Sequence, residues 1–454
     1  MNIALDIIIP CITIPLICFM LFLMVWRLES NNSLVLTPFL LIMVFVFVRV
    51  MPGFMYALIS GISKDAYAIL VFFTSFISLV CGFLLAMSYL RQSTSTPEKF
   101  REKAITVDSQ GEIFLAIIFG SILLVLAGYY LYEGTPIVTN ALIALATGDD
   151  YISVVQQVSA RRFEITKGYY YGGEYRGQGV ITTLLNVGWP FLVSMAGIVY
   201  WKTKKIRWLC LTFILFLLSF IFIAGNGTRG PFINTIIIYL ILLSLIKKIS
   251  LKFFSLSVFF LVITAIFLSL YSAKMQFIIG RDDFVSLAIE MIVERIFVGN
   301  SISDVYAIEF VRTGVIELRM GMIHFRDFIS VFPGVLGGVP FSNELAFLIN
   351  PAGNFTIYAS GTYITKPYVD FGIIGVGASF LFIGVLAGFS QTLIFRKIEK
   401  DPFHLAIGAM LIYYTGLLIM TSLVSVMSAL LMLFLFYFFL RFITITYRRK
   451  RHAD

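Results

Sequence analysis

The residues best suited to chemistry lie in three polar clusters between long apolar runs. The shortest is Gly225-Asn226-Gly227-Thr228-Arg229-Gly230-Pro231-Phe232. Pro231 suits the first turn of a helix, and Thr228 or Asn226 can cap that turn. A helix N-terminus offers free N–H groups and the positive end of a dipole. The glycines let the backbone approach a ligand closely. Arg229 adds a planar cation able to grip phosphate through two parallel hydrogen bonds. Together these residues suit an anionic head group at a membrane surface. The bland alternative is a tight turn whose arginine reaches back to the interface.

The second cluster holds Arg161-Arg162, Lys167 and then Gly168-Tyr169-Tyr170-Tyr171-Gly172-Gly173-Glu174-Tyr175-Arg176. Flat aromatic faces stack on sugar rings, and arginines suit diphosphate. An interfacial aromatic belt would have a similar composition. The third cluster holds Arg312, Glu317, Arg319, His324, Arg326 and Asp327, followed by Phe332-Pro333-Gly334 and a segment from Asn343 to Asn354 that contains Glu344. Asp327, His324 and Glu344 are candidate general bases, in that order. A lone histidine beside an arginine also fits a structural role. No Ser-His-Asp order and no Gly-rich nucleotide loop is present.

The elements that must position these clusters are membrane helices. Of 454 residues, 59% are hydrophobic and 13% charged. A soluble domain carries about 25% charged residues, and about 20 consecutive apolar residues cross a bilayer core. Spans are expected at 3–26, 34–53, 67–90, 113–132, 181–200, 209–224, 231–246, 253–271, 369–391, 404–421 and 423–443. The first is read as a retained span, since Asp6 stands where a signal peptide would be basic and Arg27 follows the apolar run. The spans are nearly free of ionisable residues, with Asp6 and Arg49 near outer ends among the exceptions, which weakens an ion-coupled transporter reading.

More than half of the 34 basic residues fall in alternate short connections: Arg27; Arg91 to Lys103; Lys202 to Arg207; Lys247 to Lys252; Arg396 to Lys400; Arg441 to Arg451. The positive-inside rule makes these cytoplasmic. The N-terminus is then outside and the C-terminus inside, with two large outer loops at 133–179 and 272–368. Segments that long usually carry function. The stretch from Asp282 through Phe297 reads as an amphipathic surface helix with Glu290, Glu294 and Arg295 toward water. The net charge of +9 is thus a topology signal with some attraction to anionic lipid heads, and nucleic acid is not an expected partner. Cys11, Cys18, Cys81 and Cys210 all lie in apolar runs, so neither a disulfide framework nor a metal site is expected.

At Thr228-Arg229-Gly230, opening an apolar helix, the chain resembles the O-antigen polymerase (Wzy) family, and O-antigen ligases share a similar turn. The layout of about 11 spans with two major periplasmic loops resembles the same family. So does an arginine followed at a fixed distance by glycine, as in Arg161 with Gly172, Arg162 with Gly173 and Arg326 with Gly337. Asp370-Phe371-Gly372-Ile373-Ile374-Gly375, re-entering the membrane, resembles the end of the large loop in repeat-unit polymerases.

The resemblance implies an all-α polytopic inner-membrane protein, related to the class C integral-membrane glycosyltransferases. It implies transfer of a growing glycan from undecaprenyl diphosphate onto a new lipid-linked repeat unit, without cofactor or metal. A chain-length regulator protein and membrane lipids would be its partners. Arg229, Arg176, Arg319 and Arg326 would contact diphosphate, followed by Arg161, Arg162 and Arg312. Rival readings are an O-antigen ligase, whose loop pattern would place Gly where Val335 stands, and a lipid-linked oligosaccharide flippase, which would have short loops.

Overall fold

The computed structural model describes residues 35–63, 67–90, 120–129, 184–222, 230–247, 297–329, 341–349, 361–396, 401–421 and 426–435, with a few short stretches between them. In chain order its helices are α1 (Pro38–Ile59), α2 (Tyr67–Leu90), α3 (Gly120–Tyr129), α4 (Trp189–Thr203), α5 (Ile206–Phe222), α6 (Gly230–Ile246), α7 (Ser301–Arg312), α8 (Met322–Ile329), α9 (Phe341–Ile349), α10 (Thr365–Arg396), α11 (Pro402–Leu417) and α12 (Val426–Leu435). Among the described residues there is no β-strand. The helices α1, α2 and α10 are long and apolar enough to cross a membrane, and α3, α5, α6, α11 and α12 are shorter apolar helices.

Proline sets an unusual feature of two of these helices. α1 passes through a π-helical segment, Val46–Val50, just ahead of Met51-Pro52-Gly53, and Met51 N–H bonds to Val46 O. Pro52 has no N–H to give, and its ring crowds the carbonyl one turn back. Widening that turn relieves the clash and lets the helix continue. The helix therefore runs to Ile59, past the span end expected at residue 53. The same device recurs where the π segment Leu184–Gly188 precedes Trp189-Pro190 at the start of α4.

The described chain groups into two compact units. Unit 1 comprises Met1–Thr96, Glu290–Arg396 and Leu411–Ser428, and unit 2 the rest. In unit 1, α2 lies along α10 at backbone contact. A Cβ added at Gly82 would sit 2.1 Å from Leu381 O, and one at Gly384 would sit 2.1 Å from Leu79 O. Small residues permit this approach, which is how apolar helices associate where water provides no drive.

α10 has 32 residues, about 48 Å of helix at 1.5 Å per residue, against about 30 Å of hydrocarbon in a bilayer. It starts before the expected span of 369–391 and ends after it. Its head, Thr365 to Phe371, is set off by Gly372, whose φ of 65° and ψ of −154° break the helix. Ahead of it, α7, α8 and α9 close around a separate apolar cluster of Ala307, Ile316, Ile323, Phe341, Leu345 and Val369. The segment expected as the second large outer loop is thus helical and packed in its described part. The expected amphipathic helix from Asp282 lies outside the described residues.

In unit 2, α4 packs against α5 and α6. Trp189 is fully buried and its Nε1 donates to Leu215 O at 3.2 Å. α4 ends at Lys204, a left-handed residue (φ 56°) whose N–H bonds Tyr200 O at 2.8 Å.

Candidate active site

Asp370 is the centre of the polar cluster in unit 1. It stands on the head of α10, two residues before the break at Gly372. Its carboxylate is fully buried and accepts three hydrogen bonds. Two come from the backbone N–H groups of Ile323 to Oδ1 and His324 to Oδ2, each at 3.1 Å. These are free N–H groups of the first turn of α8, so Asp370 caps that helix from a distant part of the chain. The third partner is Nδ1 of His324, 2.5 Å from Oδ2. The backbone adds Arg319 N–H to Val369 O and Met320 N–H to Asp370 O, both at 3.0 Å.

As a carboxylate Asp370 is acceptor-only, and it accepts two backbone N–H bonds here. It therefore takes a proton donor at His324 Nδ1, and in the neutral ring this leaves Nε2 as the acceptor nitrogen. Nε2 lies 3.3 Å from the Tyr363 hydroxyl. Burial pushes the Tyr363 phenol up, so it stays a neutral hydroxyl. The His324 side chain is 28% exposed. A buried carboxylate and an imidazole that it orients, with the second nitrogen facing a hydroxyl, are the parts of a general base.

A second buried carboxylate braces the segment that carries Tyr363. Asp304, on α7, accepts the Thr362 hydroxyl at 2.6 Å and also the Thr365 hydroxyl. Among the described residues no cation pairs with it, and burial raises its carboxyl from 3.8 to about 7. Gly361 packs closely here: an added Cβ would run into Thr365 Oγ1 and Asp304 Oδ1, so both side chains would have to shift. Tyr363 N–H is anchored on Ile419 O at 2.8 Å.

The other expected residues fall around this centre in different ways. Asp327 and Lys366 form an ion pair, and so do Glu344 and Arg319. The Arg319 guanidinium also lies over the Phe341 ring, 5.2 Å from its centroid. Arg312 pairs with Glu309 at 2.8 Å, and Glu309 accepts the Ser63 hydroxyl at 3.1 Å. Arg326 differs: its Nη2 is buried with no hydrogen-bond partner among the described residues. The three candidate bases are thus distinguished by geometry. Two carboxylates are engaged by cations, and the imidazole is the one oriented by a buried carboxylate, with its second nitrogen on a neutral hydroxyl. Arg161, Arg162, Arg176 and Arg229 lie outside the described residues, as do Gly172, Gly173 and Gly337. Among the described residues no three metal-ligating side chains converge.

Sequence reasoning noted Asp370 as part of a motif and missed it as a site residue. It also missed Asp304, Tyr363 and Lys366. The available signal was a carboxylate at the mouth of an apolar span, where an unpaired charge is costly. Comparison of the chain with known protein families, curated proteins and solved structures finds no match.

Proposed function

We propose that the chain is a glycosyltransferase of surface-polysaccharide synthesis, a polymerase acting on lipid-diphosphate-linked repeat units. The observation that carries this reading is His324, held by Asp370 through Nδ1 with Nε2 on the Tyr363 hydroxyl. In the proposed reaction Nε2 takes the proton from an acceptor sugar hydroxyl. The oxygen attacks the anomeric carbon of the donor, and the bond from that carbon to the diphosphate breaks. The lipid diphosphate leaves with the electron pair, its charge met by Arg326 and by the arginines of the outer loops. Asp370 steadies the imidazolium that forms.

The same reading has the chain cross the inner membrane about eleven times, with its N-terminus in the periplasm and its C-terminus in the cytoplasm. It places the head of α10 and the α7–α9 layer on the periplasmic side. Undecaprenyl-diphosphate-linked oligosaccharide is the proposed substrate, with a class C architecture as its setting.

An O-antigen ligase would use the same dyad on a different acceptor, and the selection of His324 over Asp327 suits that alternative as well. Deletion of the gene, followed by gel analysis of surface glycan, separates the two. Loss of a polymerase leaves core plus one repeat unit. Loss of a ligase or flippase leaves bare core and would overturn the polymerase reading. His324→Ala at normal expression should reproduce the deletion pattern.

A further inference from the structure

A second charged cluster lies in unit 2, at the end where α4 and α6 finish and α5 begins. Lys204, the left-handed residue closing α4, holds its Nζ 4.2 Å from the centre of the Trp201 ring and 5.8 Å from that of Tyr200. Lys247, just past the end of α6, reaches the same Trp201 ring at 5.6 Å. Two ammonium groups from different helices are thus gathered on one indole, with Lys202 on the next position of α4. All three lysines are exposed, and among the described residues no carboxylate pairs with any of them.

The local chain supplies no counter-charge. From Tyr175 to Arg281 the sequence contains neither Asp nor Glu. The helix ends themselves are too weak. Two C-termini and one N-terminus meet here and together offer about half a negative charge, against three lysines. Exposed like charges gathered on one ring repel modestly in water, and an anion held between them relieves that repulsion.

The neighbouring surface shows what kind of anion fits. On α5, Ile206, Leu209, Phe213 and Leu217 are exposed at helical spacing. They form an apolar stripe that runs away from the lysines along the helix. Cations at the head of such a stripe, with an indole between, match an amphiphile carrying a phosphate on acyl chains. A soluble phosphate would have no use for the stripe.

We infer that Trp201, Lys202, Lys204 and Lys247 form a binding site for the phosphate head group of an anionic phospholipid, whose acyl chain lies along α5. The site is independent of the His324 centre and of the reaction proposed for it. Its occupancy would fix the shared end of α4, α5 and α6 against the membrane surface.

The test uses the full-length protein in nanodiscs and reads tryptophan fluorescence. The probes are phosphatidylglycerol and phosphatidylcholine, each brominated high on the acyl chain, in otherwise identical bilayers. Trp201→Phe identifies the Trp201 part of the signal. Phosphatidylglycerol should quench that part at far lower mole fraction than phosphatidylcholine. Lys204→Asn with Lys247→Gln should weaken the preference roughly 25-fold, about five-fold for each cation at a membrane surface. Asn suits the left-handed position of Lys204, so the double variant should stay folded. Lys204→Arg with Lys247→Arg should keep most of the preference. Equal quenching by the two lipids, or an unchanged preference in the neutral double variant, overturns the inference. Displacement of the quencher by micromolar glycerol phosphate would also overturn it, because the site would then belong to a soluble phosphate.

Discussion

Replacing Asp370 by Asn tests the dyad without changing its shape. The carboxylate accepts Ile323 N–H on Oδ1, and both His324 N–H and Nδ1 on Oδ2. An amide can accept on one side only. With its oxygen toward His324, the Ile323 N–H is left without a partner. With its nitrogen toward His324, the His324 N–H is orphaned and the ring must take its proton on Nε2, which removes the free base. Either way one buried donor loses its acceptor, at about 1–3 kcal/mol, and the imidazolium loses its anionic partner. Exchanges of this kind in hydrolytic triads lower turnover by about 10⁴. We therefore expect Asp370→Asn to lower turnover by about 10²–10⁴ while the protein stays folded. The assay is extension of lipid-linked repeats by the detergent-purified protein, read as a gel ladder, with thermal melting as the folding control. Because the two residues act as a unit, Asp370→Asn/His324→Ala should be scarcely worse than His324→Ala alone. Turnover of Asp370→Asn within ten-fold of the wild type, or fully additive losses in the double variant, would refute the reasoning.

Other outcomes follow from neighbouring features. Asp304 has a carboxyl raised from 3.8 to about 7, so the folded protein holds its proton where the unfolded chain has lost it. Stability should fall as pH rises from about 4 to about 7 and level off above. At about 1.4 kcal/mol per pH unit, this corresponds to on the order of 4 kcal/mol. Asp304→Asn should flatten that part of the melting profile and raise the melting temperature at pH 8; a profile parallel to wild type would contradict the assignment. Gly372→Ala meets no atoms within 4 Å but places Ala at φ 65°, so it should cost about 1–3 kcal/mol through backbone strain alone and lower turnover by shifting Asp370. Arg229→Ala should lower turnover by about 10²–10³, and Arg229→Lys should rescue it poorly, since a point charge replaces a planar fork; full-length glycan ladders from Arg229→Ala would refute the role. Cysteines placed at Gly173 and Gly338 should label from the periplasm and one at Arg451 from the cytoplasm. Labelling of Gly338→Cys from the cytoplasm alone would invert the proposed topology.

The apolar helices were legible from the chain because a bilayer sets their length and forbids charge within them. The run at 67–90 coincides with α2, and the one at 231–246 lies within α6. Where local rules failed, tertiary packing had overridden them. Pro52-Gly53 reads as a helix end, yet a π turn and close packing of Gly53 on Ser301 carry α1 through. The third cluster was likewise visible as a set of candidate acids, bases and cations. Choosing among them was beyond the sequence, because a base is made by its partners. Asp370 lies 46 positions from His324, and Asp304 lies 58 from Thr362. No periodicity links residues so far apart. Folding brings the head of α10 against the first turn of α8, and that contact decides which of the candidate side chains is oriented by a buried carboxylate.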